Sequence, residues 1–324
     1  METISISVWL GGAEGEFVRS RAVRAAIGAA VLVVTVGLSA CGGSDKADGG
    51  VKTGTPTVVA STDVWGSVVQ AVAGDHAKVT SIINSASADP HSFEASPADA
   101  ASITDASLVV YNGGGYDHWV DDVLAGHPGV ASVDAYSLHN AGEPGQAQPA
   151  NEHVFYDLDT AKAVATKVAD RLAAVDADHA ADYRANAQNF NRGADAVQQI
   201  ERAIRTTHPG AAVVATEPVA HYLLVTAGLT DKTPPGFAGS VEQDTDPAPV
   251  DVAAMLDLIT NHRVAAVVFN EQTVTAVTKQ VQAAAQSAGV PIVGVSETLP
   301  AGTDYLTWQR DTADRLAAAL QQNR

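Results

Sequence analysis

The chain has 324 residues, 46% of them hydrophobic, which suits a globular protein large enough for two domains of ordinary size. Its 19 basic and 37 acidic residues give a net charge of −18 at pH 7, which argues against nucleic acid or anionic lipid headgroups as ligands and favours a cation. The single cysteine excludes an intrachain disulfide framework and any cysteine-rich zinc or iron–sulfur site.

Residues 1–40 have the pattern of a secretory signal. Arg19, Arg21 and Arg24 precede an uncharged stretch that is rich in Ala, Val and Leu and ends at residue 40. This stretch is shorter than the roughly 20 residues that a membrane-spanning helix needs. The following segment, 41–56, contains few apolar side chains and is predicted to be a flexible tether.

The end of the apolar stretch resembles the lipobox of bacterial lipoproteins, because Leu-Ser-Ala-Cys at 38–41 is followed by two glycines. In such proteins the cysteine thiol is acylated and becomes the new N-terminus. The resemblance implies that Cys41 carries a lipid anchor, and that the protein is exported and held on the extracytoplasmic face of the cell membrane.

The body of the chain alternates predicted strands with predicted helices. Short β-branched and apolar runs predict strands at 57–60, 78–83, 108–111, 130–133, 213–216, 264–269 and 291–295. One helix is predicted to begin with Asp63 as its N-cap, and another with Pro97 in its first position. Further helices are predicted at 157–174, 177–207, 218–227, 250–261, 273–287 and 303–321.

This alternation falls into two blocks separated by one long helix. It predicts an α/β fold with two lobes, each with a mainly parallel β-sheet flanked by helices, joined by the long helix. The predicted boundaries are 57–176 for the N-terminal lobe, 177–208 for the linking helix and 209–324 for the C-terminal lobe. Because parallel sheets bind ligands at the carboxyl ends of their strands, residues that follow the strands are the candidates for a functional site.

Two histidines and three glutamates lie just beyond predicted strands or at the start of the helix that ends the first lobe. They are His91, His153, Glu217, Glu271 and Glu297. Two neutral imidazoles and two carboxylates would neutralise a divalent cation, a donor set that suits Zn²⁺ and, with bidentate carboxylates, Mn²⁺. Taken singly, each residue also suits a surface histidine or a residue of a first helical turn, so residue chemistry alone leaves the site open.

The motifs around these residues resemble those of the zinc/manganese solute-binding lipoproteins of ABC importers. The motifs are Asp-Pro-His-Ser-Phe-Glu at 89–94, Tyr-Asn-Gly at 111–113, Asn-Glu-His-Val-Phe-Tyr-Asp at 151–157 and Glu-Thr-Leu-Pro at 297–300. The resemblance covers the chain from about residue 57 to about residue 320. It implies that one Zn²⁺ or Mn²⁺ ion is held as cargo between two lobes by four protein residues, two from each lobe.

The same resemblance implies which residues bind the metal. His91 and His153 match the first two ligands of the family. Glu217 matches the third, with His221 as its competitor four residues later. The fourth ligand of the family is an Asp; here Glu297 takes its place, and Glu271 is the residue that could replace Glu297.

Further polar residues near the motifs are candidates for an outer layer of the site. Asp89, Glu94 and Glu152 could accept a hydrogen bond from a metal-ligating imidazole. Asp117 and His118 are expected to form a solvated helix start. The interval 138–152 contains only His139, so the His-rich loop of many zinc-type members is absent or vestigial. The donor set resembles that of manganese-type members, whereas the Irving–Williams order favours Zn²⁺. We therefore expect a Zn²⁺/Mn²⁺ binder, with manganese marginally preferred as the cargo.

The resemblance implies a monomeric binding protein, not an enzyme, that delivers its ion to an ABC transporter permease powered by a cytoplasmic ATPase. No G-x-x-x-x-G-K-[ST] motif occurs in the chain, so energy must come from those partners. Metal release is expected to involve small lobe shifts and reordering of loops at 139–152 and 232–246. The alternatives are a binding protein for an iron chelate or cobalamin and a secreted zinc hydrolase, although an H-E-x-x-H motif is missing.

Overall fold

The structure is a computed structural model that describes residues 54–85, 90–139 and 151–322. The predicted signal, the lipidation site Cys41 and nearly all of the predicted tether lie outside the described residues, as do Asp89 and most of the 139–152 loop. Within the described part of the chain, no helix combines the length and the apolar character needed to cross a membrane.

The N-terminal lobe is built on a four-stranded sheet in the order β2-β1-β3-β4, with every neighbouring pair parallel. Its strands are β1 (Thr57–Thr62), β2 (Lys78–Ile83), β3 (Leu108–Tyr111) and β4 (Ser132–Asp134). The helices of this lobe are α1 (Asp63–Ala73), α2 (Pro97–Asp105), α3 (His118–Ala125), α4 (Ala135–His139) and α5 (Leu158–Val175). The central strand β3 is buried along its whole length, as expected for a parallel strand covered on both faces.

The C-terminal lobe repeats this plan with a parallel sheet in the order β6-β5-β7-β8. Its strands are β5 (Ala212–Ala215), β6 (Thr230–Asp231), β7 (Ala266–Asn270) and β8 (Ile292–Val295). Its helices are α7 (His221–Thr226), α8 (Pro235–Glu242), α9 (Pro249–Thr260), α10 (Ala276–Ala288) and α11 (Tyr305–Gln322). The two sheets and the helices around them are the α/β architecture predicted from the sequence.

A long helix, α6 (Ala180–Thr207), connects the two sheets and spans 28 residues. Its buried face includes Tyr183, Phe190 and Ile204, and it packs against α1, α5 and α11. One hydrophobic cluster contains Val58 of the first sheet, residues of α6 and Val213 of the second sheet. The lobes therefore share a continuous core, which opposes a wide hinge motion between them.

Local signals explain most element boundaries, and the clearest differences from the predictions concern the cap of α1, the strand β6 and the helix α8. Thr62, not Asp63, caps α1: its backbone is extended and its side chain accepts a hydrogen bond from the backbone NH of Trp65. The short strand β6 was not predicted because both of its residues are polar and exposed. The predicted loop at 232–246 contains α8, which begins with a proline and buries Phe237 and Val241 four residues apart.

The segment 151–156 passes between the lobes and is hydrogen-bonded to both. On the N-terminal side, the side chain of Asn112 donates to the carbonyl oxygen of Glu152 at 2.8 Å. The carbonyl oxygen of Phe155 accepts hydrogen bonds from the Tyr305 hydroxyl at 2.7 Å and from the Gln309 side chain at 2.9 Å. The Tyr156 hydroxyl donates to the carbonyl of Ser296 at 2.9 Å. Residues that follow the strands of one lobe are thus held against residues that follow the strands of the other.

Candidate metal centre

Four of the sequence-predicted residues lie beyond the carboxyl ends of strands or on the segment between the lobes. His91 sits in a 3₁₀ turn (Pro90–Ser92) that follows β2, and His153 directly precedes a second 3₁₀ turn (Val154–Tyr156). Glu217 follows β5, and Glu297 follows β8. The carboxyl ends of parallel strands meet at one edge of each sheet, which is why residues so far apart in the chain can converge.

His91, His153 and Glu297 form a compact triangle of donor atoms. The Nε2 atoms of the two imidazoles are 3.4 Å apart, and each lies 3.6 Å from Oε2 of Glu297. The side chains of His153 and Glu297 are 1% and 3% exposed, and that of His91 is 24% exposed. Neighbouring ligands of a tetrahedral ion with bonds of about 2.0–2.2 Å lie about 3.3–3.6 Å apart. The triangle therefore has the spacing of one face of a tetrahedral metal site.

Asn151 orients the imidazole of His153. Its side-chain oxygen accepts a hydrogen bond from the backbone NH of His153 at 2.8 Å and lies 3.2 Å from Nδ1 of the same residue. Because this oxygen can only accept, Nδ1 carries the proton, and the lone pair of Nε2 points into the triangle. Burial opposes the charged form of this imidazole, but nearby carboxylates, Glu297 foremost, outweigh it, so the pKa of His153 is raised.

Glu297 presents one free carboxylate oxygen to the two imidazoles. Its Oε1 accepts a hydrogen bond from the Asn270 side chain at 2.9 Å, whereas its buried Oε2 has no hydrogen-bond partner among the described residues. Burial alone would raise the pKa of Glu297, but His153 and His91 outweigh it and the pKa is lowered. The side-chain oxygen of Gln272 accepts from the backbone NH groups of Glu297 and Thr298, which fixes this loop. The carboxylate is ionised and pre-positioned for a cation.

Glu217 lies close to this triangle but does not complete it. At the triangle, the group of donor atoms that lie within 4.8 Å of one another comprises those of His91, His153 and Glu297, without Glu217. Glu217 is 5% exposed, and its Oε2 has no hydrogen-bond partner in the described structure. Burial, reinforced by the charge of Glu297, raises its pKa to about 7, against a hydrogen bond from Asn270 that lowers it. The two carboxylates thus share Asn270.

The two alternative ligands lie outside the triangle. His221 is the first residue of α7 and is exposed, with its ring against that of Tyr222. Glu271 is exposed as well, and its carboxylate lies against the backbone of Gly294 in β8. Neither residue contributes to a group of donor atoms within 4.8 Å in the described part of the chain.

The outer residues differ from the sequence-based expectations at one position. Asp117 was expected in a solvated helix start, but it is fully buried and accepts hydrogen bonds from the backbone NH groups of Asn112 at 2.7 Å and Gly113 at 2.8 Å. The positive φ of 75° at Gly113 folds the loop around this carboxylate. Burial raises the pKa of Asp117 to about 6. Glu94 and His118 are exposed.

Sequence reasoning missed Glu242, the last residue of α8. Its Oε1 lies 3.9 Å from Nδ1 of His153, and Glu152, His153 and Glu242 offer a second group of donor atoms within 4.8 Å of one another. Burial raises the pKa of Glu242 to about 7, opposed by the charge of His153. The apolar residues Phe237 and Val241, one helical turn apart, are the signal that could have revealed this helix.

Comparison with known proteins identifies the family of the chain. The family described as zinc-uptake complex component A, periplasmic, matches residues 58–319. The chain is 22% identical over 313 residues to the metal ABC transporter substrate-binding lipoprotein SloC of Streptococcus mutans, covering 90% of this chain and 97% of the relative. It is 25% identical over 268 residues to the manganese-binding lipoprotein MntA of Bacillus subtilis, covering 78% and 82%.

Solved structures share the fold. The periplasmic zinc-binding protein TroA of Treponema pallidum superposes with a TM-score of 0.70 at 18% sequence identity, covering 82% of this chain and 99% of that one. The architecture, two parallel sheets joined by a long helix, is thus the two-lobed fold of that protein. The family match spans both sheets, the long helix and every residue of the triangle. The chain belongs to the periplasmic zinc-uptake component A family and is a zinc/manganese solute-binding protein, as its sequence motifs predicted.

Proposed function

We propose that the protein captures one Zn²⁺ or Mn²⁺ ion between its lobes, with His91, His153, Glu217 and Glu297 as ligands. The observation that carries this proposal is the triangle of two imidazole nitrogens and one free carboxylate oxygen, with edges of 3.4 and 3.6 Å. A divalent cation satisfies these three converging groups at once, because each of them can offer it a lone pair once any bound proton is displaced.

Glu217 supplies the fourth ligand in this proposal. It is nearly as buried as Glu297, it has an unpaired oxygen, and it is linked to Glu297 through Asn270. In the absence of a cation its carboxyl binds a proton readily, because burial and, after it, the charge of Glu297 raise its pKa. A divalent ion in the triangle would remove that repulsion and draw the ionised carboxylate toward itself. Four ligands with two negative charges would neutralise the ion.

The donor set suits both metals, and the spacing of the triangle favours the tetrahedral one. Neighbouring ligands lie about 1.6 bond lengths apart around a tetrahedral ion but only about 1.4 bond lengths apart around an octahedral one. Zn²⁺ therefore fits the three donors without movement. Mn²⁺ would require bidentate carboxylates or a tighter triangle. The relative MntA is named as manganese-binding and TroA as zinc-binding, so the family includes both.

Delivery of the ion to an ABC permease and its ATPase is the second part of the proposal. The relative SloC is named as a lipoprotein of a metal ABC transporter. We assign the same place to this protein, as a monomer anchored through Cys41 on the extracytoplasmic face of the membrane. Replacing Cys41 with Ser should move the protein from the membrane fraction to the medium without changing its metal affinity.

A metal competition experiment tests the binding proposal directly. The purified, metal-stripped protein is dialysed against equal free concentrations of Mn²⁺ and Zn²⁺, and bound metal per chain is read by mass spectrometry. One ion per chain is expected, with zinc in excess, and none in His91→Ala. The matched control is His118→Ala, which removes an exposed histidine outside the triangle. A wild-type protein that retains no stoichiometric metal would refute the proposal.

A further inference from the structure

The far edge of the His153 ring faces a carboxylate that no sequence motif pointed to. Nε2 of His153 faces the triangle, whereas Nδ1 lies 3.2 Å from the side-chain oxygen of Asn151 and 3.9 Å from Oε1 of Glu242. That oxygen of Glu242 is buried and has no hydrogen-bond partner among the described residues, although the side chain as a whole is 22% exposed. An unpaired, buried carboxylate oxygen thus stands just beyond hydrogen-bond distance of the Nδ1–H group.

The position of Glu242 in its helix is unfavourable by itself. Glu242 is the last residue of α8, where the partial negative charge of the helix end repels a carboxylate. The helix is not free to turn this side chain away, because Phe237 and Val241 are buried in the core of the C-terminal lobe. The acidic residue therefore does not serve the stability of α8. Its buried oxygen instead lies 3.9 Å from Nδ1 of His153, on another segment.

A carboxylate behind a metal-ligating imidazole has a known physical effect. Accepting the Nδ1–H bond fixes the tautomer and the ring orientation, and it makes Nε2 a stronger donor to the metal. A metal on Nε2 withdraws electrons from the ring, so Nδ1–H becomes a better hydrogen-bond donor. An ionised carboxylate gains more from this change than the neutral amide oxygen of Asn151 does, because hydrogen bonds to charged acceptors are stronger.

We propose that Glu242 is a positioning residue for His153, which accepts the Nδ1–H bond when a cation binds Nε2 and thereby couples α8 to occupation of the metal site. The inference rests on the function proposed above. The two atoms must approach by roughly 1 Å to reach a normal hydrogen-bond distance from their present 3.9 Å. The C-terminal end of α8 is thereby tied to His153, so the ordering of this helix end reports whether the site is loaded.

The test compares Glu242→Gln with Glu271→Gln, a matched loss of one negative charge at an exposed carboxylate outside the site. Zinc affinity of the purified protein is measured by competition with a chelator. We expect Glu242→Gln to weaken zinc binding about 10- to 100-fold, the range found when an outer partner of a ligand is removed, and Glu271→Gln to leave it unchanged. Equal affinity in Glu242→Gln and the wild type would overturn the inference.

Hydrogen exchange supplies a readout that a purely structural role would not change. Added zinc should slow backbone exchange in α8 of the wild type and of Glu271→Gln, but not in Glu242→Gln at a zinc concentration that saturates it. Thermal unfolding of the metal-free proteins shows whether Glu242→Gln is folded. The variant Glu242→Asp repeats the test with a side chain that keeps the negative charge but is one methylene shorter. The coupling would be refuted if the wild-type protein bound zinc and its backbone exchange in α8 stayed the same as without zinc. A wild type that binds no zinc would refute the proposed function itself.

Discussion

The Nε2 atoms of His91 and His153 lie 3.4 Å apart, although 62 residues separate them in the chain. The nitrogen of His153 presents a lone pair, since its Nδ1 hydrogen is directed to Asn151. When both nitrogens present lone pairs, they and the carboxylate oxygen repel one another unless a proton or a cation lies between them. Binding of the cation and stability of the fold are therefore coupled at this point.

Metal should stabilise the protein against heat. A ligand present at about 100 times its dissociation constant adds about 2.7 kcal/mol to the free energy of unfolding, which corresponds to a rise of a few degrees in Tm for a protein of this size. Calorimetry with and without Zn²⁺ measures the rise. His153→Ala should lose it, whereas His118→Ala should keep it. A rise of equal size in His153→Ala would contradict the assignment of His153 as a ligand.

Metal affinity should fall as the pH falls through about 7. The pKa of His153 is raised, and the pKa of Glu217 is about 7, so below this pH both groups bind protons that the metal must displace. Each proton displaced lowers the apparent affinity by up to about tenfold per pH unit. Isothermal titration at pH 7.5 and pH 6.0 in two buffers of different ionisation enthalpy measures affinity and proton release. Unchanged affinity across this range would contradict the prediction.

Asn270 is expected to stabilise the ionised carboxylates of both Glu217 and Glu297. Its side chain donates to Glu297 at 2.9 Å and also supports Glu217, so Asn270→Ala leaves two buried carboxylates without this donor. We expect a loss of about 1–3 kcal/mol in the free energy of unfolding and a drop of about 10- to 100-fold in metal affinity. Denaturant unfolding and chelator competition measure the two effects. Asn261→Ala, which removes a side-chain bond to exposed Asp257, is the control and should change neither quantity appreciably.

Tyr156 connects the two lobes beside the site. Tyr156→Phe removes the hydrogen bond to the carbonyl of Ser296, the residue before Glu297, and leaves that carbonyl unpaired. We expect a loss of about 1–2 kcal/mol in stability, accompanied by weaker metal binding because the Glu297 loop is less well fixed. Tyr183→Phe, which removes a hydrogen bond to Asp176 far from the triangle, should lower stability but leave metal affinity intact. Equal metal affinities in both variants would contradict the role given to Tyr156.

Glu201 on α6 should make the fold sensitive to alkaline pH. It is 1% exposed, its Oε1 has no hydrogen-bond partner in the described residues, and burial, with Asp157 adding to it, raises its pKa from 4.5 to about 8. The unfolded chain releases this proton more readily than the folded chain does. The contribution of the protonated Glu201 carboxyl to the free energy of unfolding is therefore fully present below about pH 4.5 and is lost as the pH rises toward about 8. Above that pH the loss is constant.

Replacing Glu201 with Gln tests this linkage. At pH 9 the variant should be more stable than the wild type by a few kcal/mol, since each unit of pKa shift corresponds to about 1.4 kcal/mol. At pH 4 the two proteins should be equally stable. Urea unfolding at both pH values measures the difference. Glu271→Gln, at an exposed carboxylate, should show no pH-dependent gain. An equal effect of Glu201→Gln at pH 4 and pH 9 would contradict the raised pKa.

Local patterns were enough to predict the fold class and most elements, since caps, apolar runs and prolines act on neighbouring residues. Ser96 caps α2 through a capping box with Asp99, and Pro97 stands in the first helical position, as predicted. The helix α8 was missed because Pro234 and Pro235 suggest a loop, and the burial of Phe237 and Val241 in the core of the C-terminal lobe holds the segment as a helix. Tertiary contacts overrode the local signal there.

The sequence indicated which residue types form the metal centre, but it did not determine which of the carboxylates lies next to the two imidazoles. Glu271 directly follows the buried residue Asn270 in β7, and side chains alternate along a strand, so Asn270 faces the site while Glu271 faces solvent. Glu297 lies beyond the end of β8, in a loop held by Gln272 and by the contact of Tyr156 with Ser296. Motif spacing predicts which donors are present. Strand register, loop anchoring and lobe packing decide which carboxylate oxygen lies next to the imidazoles. These three features depend on contacts between residues far apart in the chain, so the motifs alone do not reveal them.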